Sequence, residues 1–423
     1  MIWDLICVGG GAAGFFAAIA HAEQGGGATL ILEKSPETLS KVKISGGGRC
    51  NVTHSCFEPR ALCANYPRGQ KALRGALHRF GVQDAIDWFA AHGVELKTED
   101  DGRMFPVTDR SQTIIDCLED AASKAGVEVR KRCGVASLSV VGNAEEAEDG
   151  DESGAGEGAS RFRVETEAGE VLLARNVLLA TGGTRLVSGA KLAEQVGHTL
   201  EPAVPSLFTF KIRDARLTSL PGVSVAAVDC KIAGSKLASS GPLLVTHIGV
   251  SGPGILKISA WGARELSDLG YRFTLIVNWL PGEDVLASLQ TLREESGTRQ
   301  IDRLSPFSAL PKRLWAQLVH AAGVSEGQTW AELTKKQRGA LVAQLSRCEF
   351  QVDGKSMNKD EFVTCGGVSL REIDFRTMES KRIPGLYFAG EMMDVDGVTG
   401  GFNFQNAWTS GYVAGTACLP AEE

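Results

Sequence analysis

The chain has 423 residues, 43% of them hydrophobic and 22% charged, a composition that excludes wholesale disorder and fibrous architecture and suggests two or three compact domains. Its formal net charge of −7 belongs to one tract between Asn143 and Ser160, which holds Glu145, Glu146, Glu148, Asp149, Asp151, Glu152 and Glu157 and no Lys or Arg. Outside that tract the charges balance, so no global field attracts nucleic acid or an anionic membrane.

Fifty glycines exceed the roughly thirty that average usage would give, and the excess falls in clusters at Gly9–Gly14, Gly46–Gly48, Gly182–Gly183 and Gly400–Gly401. Clusters of this kind hold backbone close to a ligand. Ten cysteines include no CxxC, and no His pair stands at ligand spacing, so neither a metal site nor a dithiol centre is expected and a reducing cytoplasm fits. No apolar stretch of 18 or more residues predicts a spanning helix.

In chain order, residues 4–8 read as a buried strand, 12–23 as a helix rich in Ala, Phe and Ile, and 29–32 as a second strand ending at Glu33. Gly9-x-Gly11-x-x-Gly14 is therefore the turn of a βαβ unit with an acid 19 positions beyond it. The spacing has a mechanism: Gly9 permits the tight turn, Gly11 admits a pyrophosphate to the backbone, and Gly14 allows close helix packing. The helix N-terminus offers N–H groups to the phosphates and Glu33 offers acceptors to a ribose. Residues 94–97 and 103–105 flank Asp101-Gly102 as a hairpin. A helix opens at 108 or 109 and runs to 124; strands follow at 127–130, 135–141, 161–166, 171–173 and 177–180. Arg68, Lys71, Arg74 and Arg79 read as a solvated helix face.

From about residue 189 strand-like segments dominate (207–212, 223–232, 243–246, 271–277), then helices at 284–295, 311–322 and 330–345, the last with Thr334 before Gln337 as a capping box. Strand character returns at 362–368 and 386–389, and a helix at 405–418 closes the chain. A dinucleotide-binding domain made from both ends and interrupted by a β-rich and then helical insertion is the simplest organisation.

Four blocks carry a resemblance. VGGGAAG (8–14), KISGGGRCNVT (43–53), LVTHIGVSGP (244–253) and TMESK…GLYFAGEMMDVDGVTGGFNFQNAW (377–408) resemble, in that order, the BaiN/YhiN-like family of FAD-dependent oxidoreductases, some of them labelled aminoacetone oxidases. The resemblance implies an α/β fold: a glutathione-reductase-like FAD-binding Rossmann domain (1–188 and 364–423), an inserted β-barrel-like domain (189–282 and 346–363) and a small helical domain (283–345). FAD contacts would then fall on Gly9, Gly11, Ala13 and Gly14 at the pyrophosphate, Glu33 and Lys34 at the ribose, and Ser45, Gly46, Gly47, Arg49, Cys50 and Asn51 along the ribityl chain and flavin. Val135 would meet the adenine, and Ala180, Thr181 and Gly182 would form a second glycine turn. Gly390 and Glu391 would meet the ribityl or phosphate region, and Gly401, Phe402, Asn403 and Phe404 would present N–H groups to the flavin pyrimidine. The acidic tract is no part of the family pattern.

Two catalytic candidates emerge. His247 lies in a family block and imidazole titrates near neutral pH; Cys50 is either a reactive thiol or a small residue packed beside the ring. Asp394 and Asp396 shape a loop more readily than they hold a cation. The expected activity is hydride transfer between a small organic substrate and flavin N5, with NAD(P)H as transient reductant; no second GxGxxG marks a dedicated nicotinamide domain. Oxidation of an amine with oxygen and an RNA-modifying flavoprotein are the alternatives, and the balanced charge speaks against nucleic acid as partner. Oligomeric state is not legible.

Overall fold

A computed structural model describes residues 1–141, 161–184, 187–356 and 363–419; the acidic tract at 143–160 lies outside the described residues. The chain divides into two units, Met1–Val204 with Val363–Glu423, and Pro205–Phe362.

The first unit is built on a parallel sheet in the order Leu386–Phe388, Val171–Leu179, Ile2–Val8, Thr29–Leu32, Glu128–Arg130. Its central strands read as near-continuous apolar runs because both faces are covered; Thr29–Leu32 is buried at every position. The antiparallel strands Phe162–Thr166 and Val135–Val140 extend from Val171–Leu179. The strands expected separately at 171–173 and 177–180 are one. Arg175 and Asn176 interrupt the apolar pattern, but Arg175 pairs with the Asp4 carboxylate and the Asn176 amide donates to the Asp4 carbonyl at 3.0 Å, so the neighbouring strand satisfies both.

The helix Ala12–Glu23 covers the sheet and packs against the last helix, Phe402–Ala417. Contact is close because two small residues allow it: a Cβ at Gly411 would lie 2.6 Å from the Ala13 carbonyl oxygen, and one at Gly415 only 2.2 Å from that of Ala17. The last helix begins at Phe402, three residues ahead of expectation, with Gly401 at φ +94° as its N-cap.

The second unit holds a closed six-stranded antiparallel barrel: Phe210–Ile212, Gly249–Ser251, Ala238–Thr246, Ser224–Ile232, Arg272–Asn278 and Cys348–Lys355. Alternating burial along Ser224–Ile232 and Arg272–Asn278 places Val225, Val228, Cys230, Ile232, Phe273, Leu275 and Val277 inside. The same apolar core runs on into the helices through Leu289, Leu314, Trp315, Leu318, Leu341 and Leu345, so the segment expected as a separate helical domain at 283–345 shares one core with the barrel. Residues 189–204, expected in the insertion, lie with the first unit: the helix Val187–Gln195 meets the strand Val135–Val140, where Gln195 accepts from the Leu138 N–H at 3.2 Å. The Thr334–Gln337 capping box forms, and it starts its helix at Lys335. No described helix is long and apolar enough to cross a membrane.

Candidate functional site

The parallel strands end in register. Val8 pairs with Leu32 on one side and Leu179 on the other, Leu179 with Phe388, and Leu32 with Arg130. The residues just beyond this line are Gly9, Glu33, Ala180 and the turn at Gly390, so four of the expected contact segments converge at the carboxyl edge of the sheet, where open α/β folds bind their ligands. The turns interlock: a Cβ at Gly9 would lie 2.4 Å from the Ala180 carbonyl oxygen, one at Gly14 only 2.0 Å from that of Gly9, and one at Gly390 3.1 Å from Ala13 Cβ.

Glu33 holds this turn together. Its Oε2 accepts from the Gly10 N–H at 2.8 Å, and its Oε1 accepts from the Ser35 N–H and hydroxyl at 2.7 and 2.6 Å. A carboxylate has about four acceptor positions, so one on Oε2 is left for a ribose hydroxyl. Lys34 is exposed and paired with Glu167 at 2.7 Å. Val135 is buried opposite Thr166 at the start of its strand.

The Ser45–Asn51 segment departs from helix at Ser45 and passes through left-handed backbone at Gly46 (φ +57°), Gly47 (φ +69°) and Cys50 (φ +62°). Arg49 turns to the protein: its guanidinium bonds Glu99 at 2.6 Å and lies 4.0 Å over the Phe105 ring. Asn51, with its amide oriented to suit its neighbours, accepts from the Gly401 N–H at 2.9 Å and donates to the Thr53 carbonyl at 3.0 Å. This joins the Gly46 loop to the head of the last helix. Thr181 bonds the Met392 sulfur at 3.2 Å, Gly390 N–H donates to Ser410 at 2.9 Å, and Glu391 pairs with Lys41.

The chemistry of these segments fits a dinucleotide. Gly11 and Gly401 cap their helices with no side-chain bond, so the first N–H groups of each helix are available to an anion. A Cβ added at Gly11, Gly47 or Gly182 would meet no protein atom within 4 Å. Of the buried polar atoms without a protein partner among the described residues, His54 Nδ1, Thr184 Oγ1 and Asn406 Oδ1 lie two or three positions beyond an expected contact segment.

Sequence reasoning missed the residues that brace the Gly397–Phe404 turn. Asn403, expected as an N–H donor, also clamps Gly397 with its side chain through bonds of 2.8 and 2.9 Å. His54 stacks on Phe402 at 4.8 Å, and Phe404 on Trp408 at 5.6 Å. The His54 imidazole is held below its ordinary value chiefly by burial, against the bond to the Asp101 carbonyl. Arg68 pairs with the completely buried Asp396 and so leaves the solvated face expected of that run; Arg79 stays exposed and donates to the Arg376 carbonyl. The Asp396 partner is thus a guanidinium, and no group of three or more metal-ligating residues occurs among the described residues.

The two catalytic candidates fare differently. Cys50 is completely buried and burial pushes its thiol up to about 12, the opposite of the depressed value that a thiolate nucleophile needs at neutral pH. His247 is exposed on the turn between Ala238–Thr246 and Gly249–Ser251 of the second unit, and its ring makes no hydrogen bond among the described residues.

Comparison with known proteins adds a frame. A family model described as HI0933-like protein Rossmann domain matches residues 3–417. The chain is 32% identical over 430 residues to the "Ribosomal RNA dihydrouridine synthase" of Escherichia coli (strain K12), covering 99% of each. It is 27% identical over 421 residues to the "3-dehydro-bile acid delta(4,6)-reductase" of Clostridium scindens (strain ATCC 35704 / DSM 5676 / VPI 13733 / 19), covering 97% of each. Among solved structures, 3-ketosteroid delta1-dehydrogenase from Sterolibacterium denitrificans in complex with 1,4-androstadiene-3,17-dione aligns over 99% of both chains with a TM-score of 0.51 at 13% identity, a likeness of fold.

Proposed function

The chain belongs to the HI0933-like Rossmann family, a family of FAD-dependent oxidoreductases, and from that premise we propose that it reduces a carbon–carbon double bond conjugated to a carbonyl, with a uridine of ribosomal RNA as substrate and NAD(P)H as reductant. The names of two relatives share this chemistry. A dihydrouridine synthase saturates the uracil C5=C6 bond, which is conjugated to a carbonyl, and a delta(4,6)-reductase acts on double bonds in a 3-dehydro, hence 3-oxo, compound. In either case the carbon β to the carbonyl gains a hydride, the α-carbon gains a proton, and the nicotinamide is oxidised. The higher identity, over 99% of both chains, supports the RNA substrate.

The observation that carries the reading is the uncapped head of the Phe402–Ala417 helix, tied through Gly401 to Asn51. Bound FAD, when reduced, supplies hydride from N5. The chain's part is to hold it. Gly9–Gly14 would take the pyrophosphate on the first helix, Glu33 the ribose, and the Phe402–Phe404 N–H groups the negative charge of a reduced flavin pyrimidine. His247 is our candidate proton donor for the α-carbon; Cys50, inaccessible as a thiol, packs the loop.

The test is anaerobic mixing of the FAD-loaded protein with NADPH or NADH, followed by deproteinised ribosomal RNA. Flavin bleaching, then a uridine heavier by two hydrogens in the digested RNA, is expected. Bleaching with no change in the RNA but turnover of a small 4-en-3-one would move the substrate to small molecules. Peroxide formed from an amine, with no bleaching by either nicotinamide, would replace reduction with amine oxidation.

A further inference from the structure

Charge balance outside the acidic tract conceals a local imbalance. From the end of the Val285–Glu295 helix to the end of the Lys335–Ser346 helix, residues 296–346 carry Arg299, Arg303, Lys312, Arg313, Lys335, Lys336 and Arg338 against Asp302, Glu326 and Glu332. The segment is one compact block of the second unit. Trp330 N–H bonds the Arg299 carbonyl and Ile301 N–H that of Gln328, the Trp315 indole donates to the Ile301 carbonyl at 2.7 Å, and Gln337 reaches the Gly323 carbonyl at 2.7 Å.

The placement of these cations is as informative as their number. Arg299, Arg303, Lys312, Lys335 and Lys336 are all exposed and make no ion pair among the described residues. Two of the block's helices, Lys312–Ala321 and Lys335–Ser346, open with adjacent cations and have no acid in the first turn. The helix dipole makes that end positive, so stability alone selects acids there. Unpaired cations added to two positive helix ends suit a polyanion and disfavour the isolated fold.

We propose that this block is a docking surface for the sugar-phosphate backbone of RNA, separate from the cofactor segments of the first unit. The proposal rests on the RNA reading above. Phosphates neutralised here release counterions, so binding should weaken steeply with salt, while the surface positions the RNA without reading its sequence.

The experiment measures binding of deproteinised ribosomal RNA to the FAD-loaded full chain from low to moderate salt. A variant with Lys312→Gln, Lys335→Gln and Lys336→Gln is compared with a control that removes as many exposed cations from the barrel, Lys231→Gln, Lys236→Gln and Arg272→Gln. The block variant should lower the log–log salt slope by about 2, given roughly 0.7–0.9 per lost phosphate contact. It should leave flavin bleaching by nicotinamide as in the parent and leave the melting temperature at or above the parent's; the control should change the slope by less than half as much. Equal losses in both variants, or a block variant that binds like the parent, would overturn the proposal, as would a parent that binds no RNA. RNA that binds through the block but contains no reduced uridine would leave the surface standing and refute the substrate.

Discussion

The phenolic oxygen of Tyr66, completely buried, donates a 2.7 Å hydrogen bond to the carbonyl of Phe402. Burial raises the phenol well above its ordinary value, so it remains a donor at any physiological pH. A segment far away in sequence thereby braces the first residue of the helix that would face the flavin. Tyr66→Phe should cost about 1 kcal/mol, the net worth of one buried hydrogen bond, seen as a lower urea midpoint with unchanged far-ultraviolet circular dichroism. An unchanged midpoint would remove Tyr66 from the bracing of that turn.

Gly11 and Gly14 should fail in different ways. A methyl at Gly14 collides with the Gly9 carbonyl, whereas one at Gly11, where φ is −93°, meets no protein atom within 4 Å. Gly11→Ala should therefore fold with the apoprotein's melting temperature nearly unchanged yet lose FAD, while Gly14→Ala should lose both. Full FAD occupancy in Gly11→Ala would show that the pyrophosphate lies elsewhere.

Cys50 and His247 are separable by kinetics. With its thiol buried and raised to about 12, Cys50→Ala should retain turnover within a few fold and native Cys50 should resist alkylation. His247→Gln should slow substrate reduction about 10²-fold or more, the scale of positioned acid–base catalysis, with flavin reduction by nicotinamide unaffected. A hundredfold loss in Cys50→Ala would restore a chemical role to the thiol.

Stability should fall in mild acid. His21 and His198 are held below the ordinary imidazole value of 6.5, chiefly by burial. Above that pH both states are neutral. As pH falls through 6.5 the unfolded chain takes up protons first, so stability is lost towards the lower folded values. Asp374, held at about 2 by Arg376, loses its contribution as pH falls through the ordinary carboxylate value towards 2, below this window. Melting temperatures between pH 7.5 and 5 should therefore slope downward with acid in the parent and less in the double variant His21→Gln, His198→Gln. Parallel slopes would exclude these two imidazoles as the cause.

The acidic tract should be dispensable. Its flanks are already joined: Val140 pairs with Phe162, and the Val141 N–H donates to the Arg161 carbonyl at 2.7 Å. Replacing residues 145–158 with a short Gly-Asn turn should leave FAD content and turnover unchanged. Loss of FAD from the purified deletion protein would give the tract a role beyond connection.

The sequence alone determined the βαβ unit, because strand, glycine turn, helix, strand and Glu33 are contiguous and each is a local choice of backbone. It also determined the capping box at Thr334 and, through four ordered blocks, the family. Tertiary structure decided what depends on distant partners. Val171–Leu179 became one strand because Asp4 satisfies Arg175 and Asn176, and Arg68 left the solvent because Asp396, in a turn more than three hundred positions later, needed a counter-ion. The sequence left Cys50 open between a reactive thiol and a small packed residue; burial, a property of the whole packed unit, keeps it a thiol. The charge balance read from composition was correct as a sum. The cations of residues 296–346 are contiguous in the sequence; only the fold decides that Arg299, Arg303, Lys312, Lys335 and Lys336 stand exposed with no ion pair among the described residues, because pairing depends on neighbours in space.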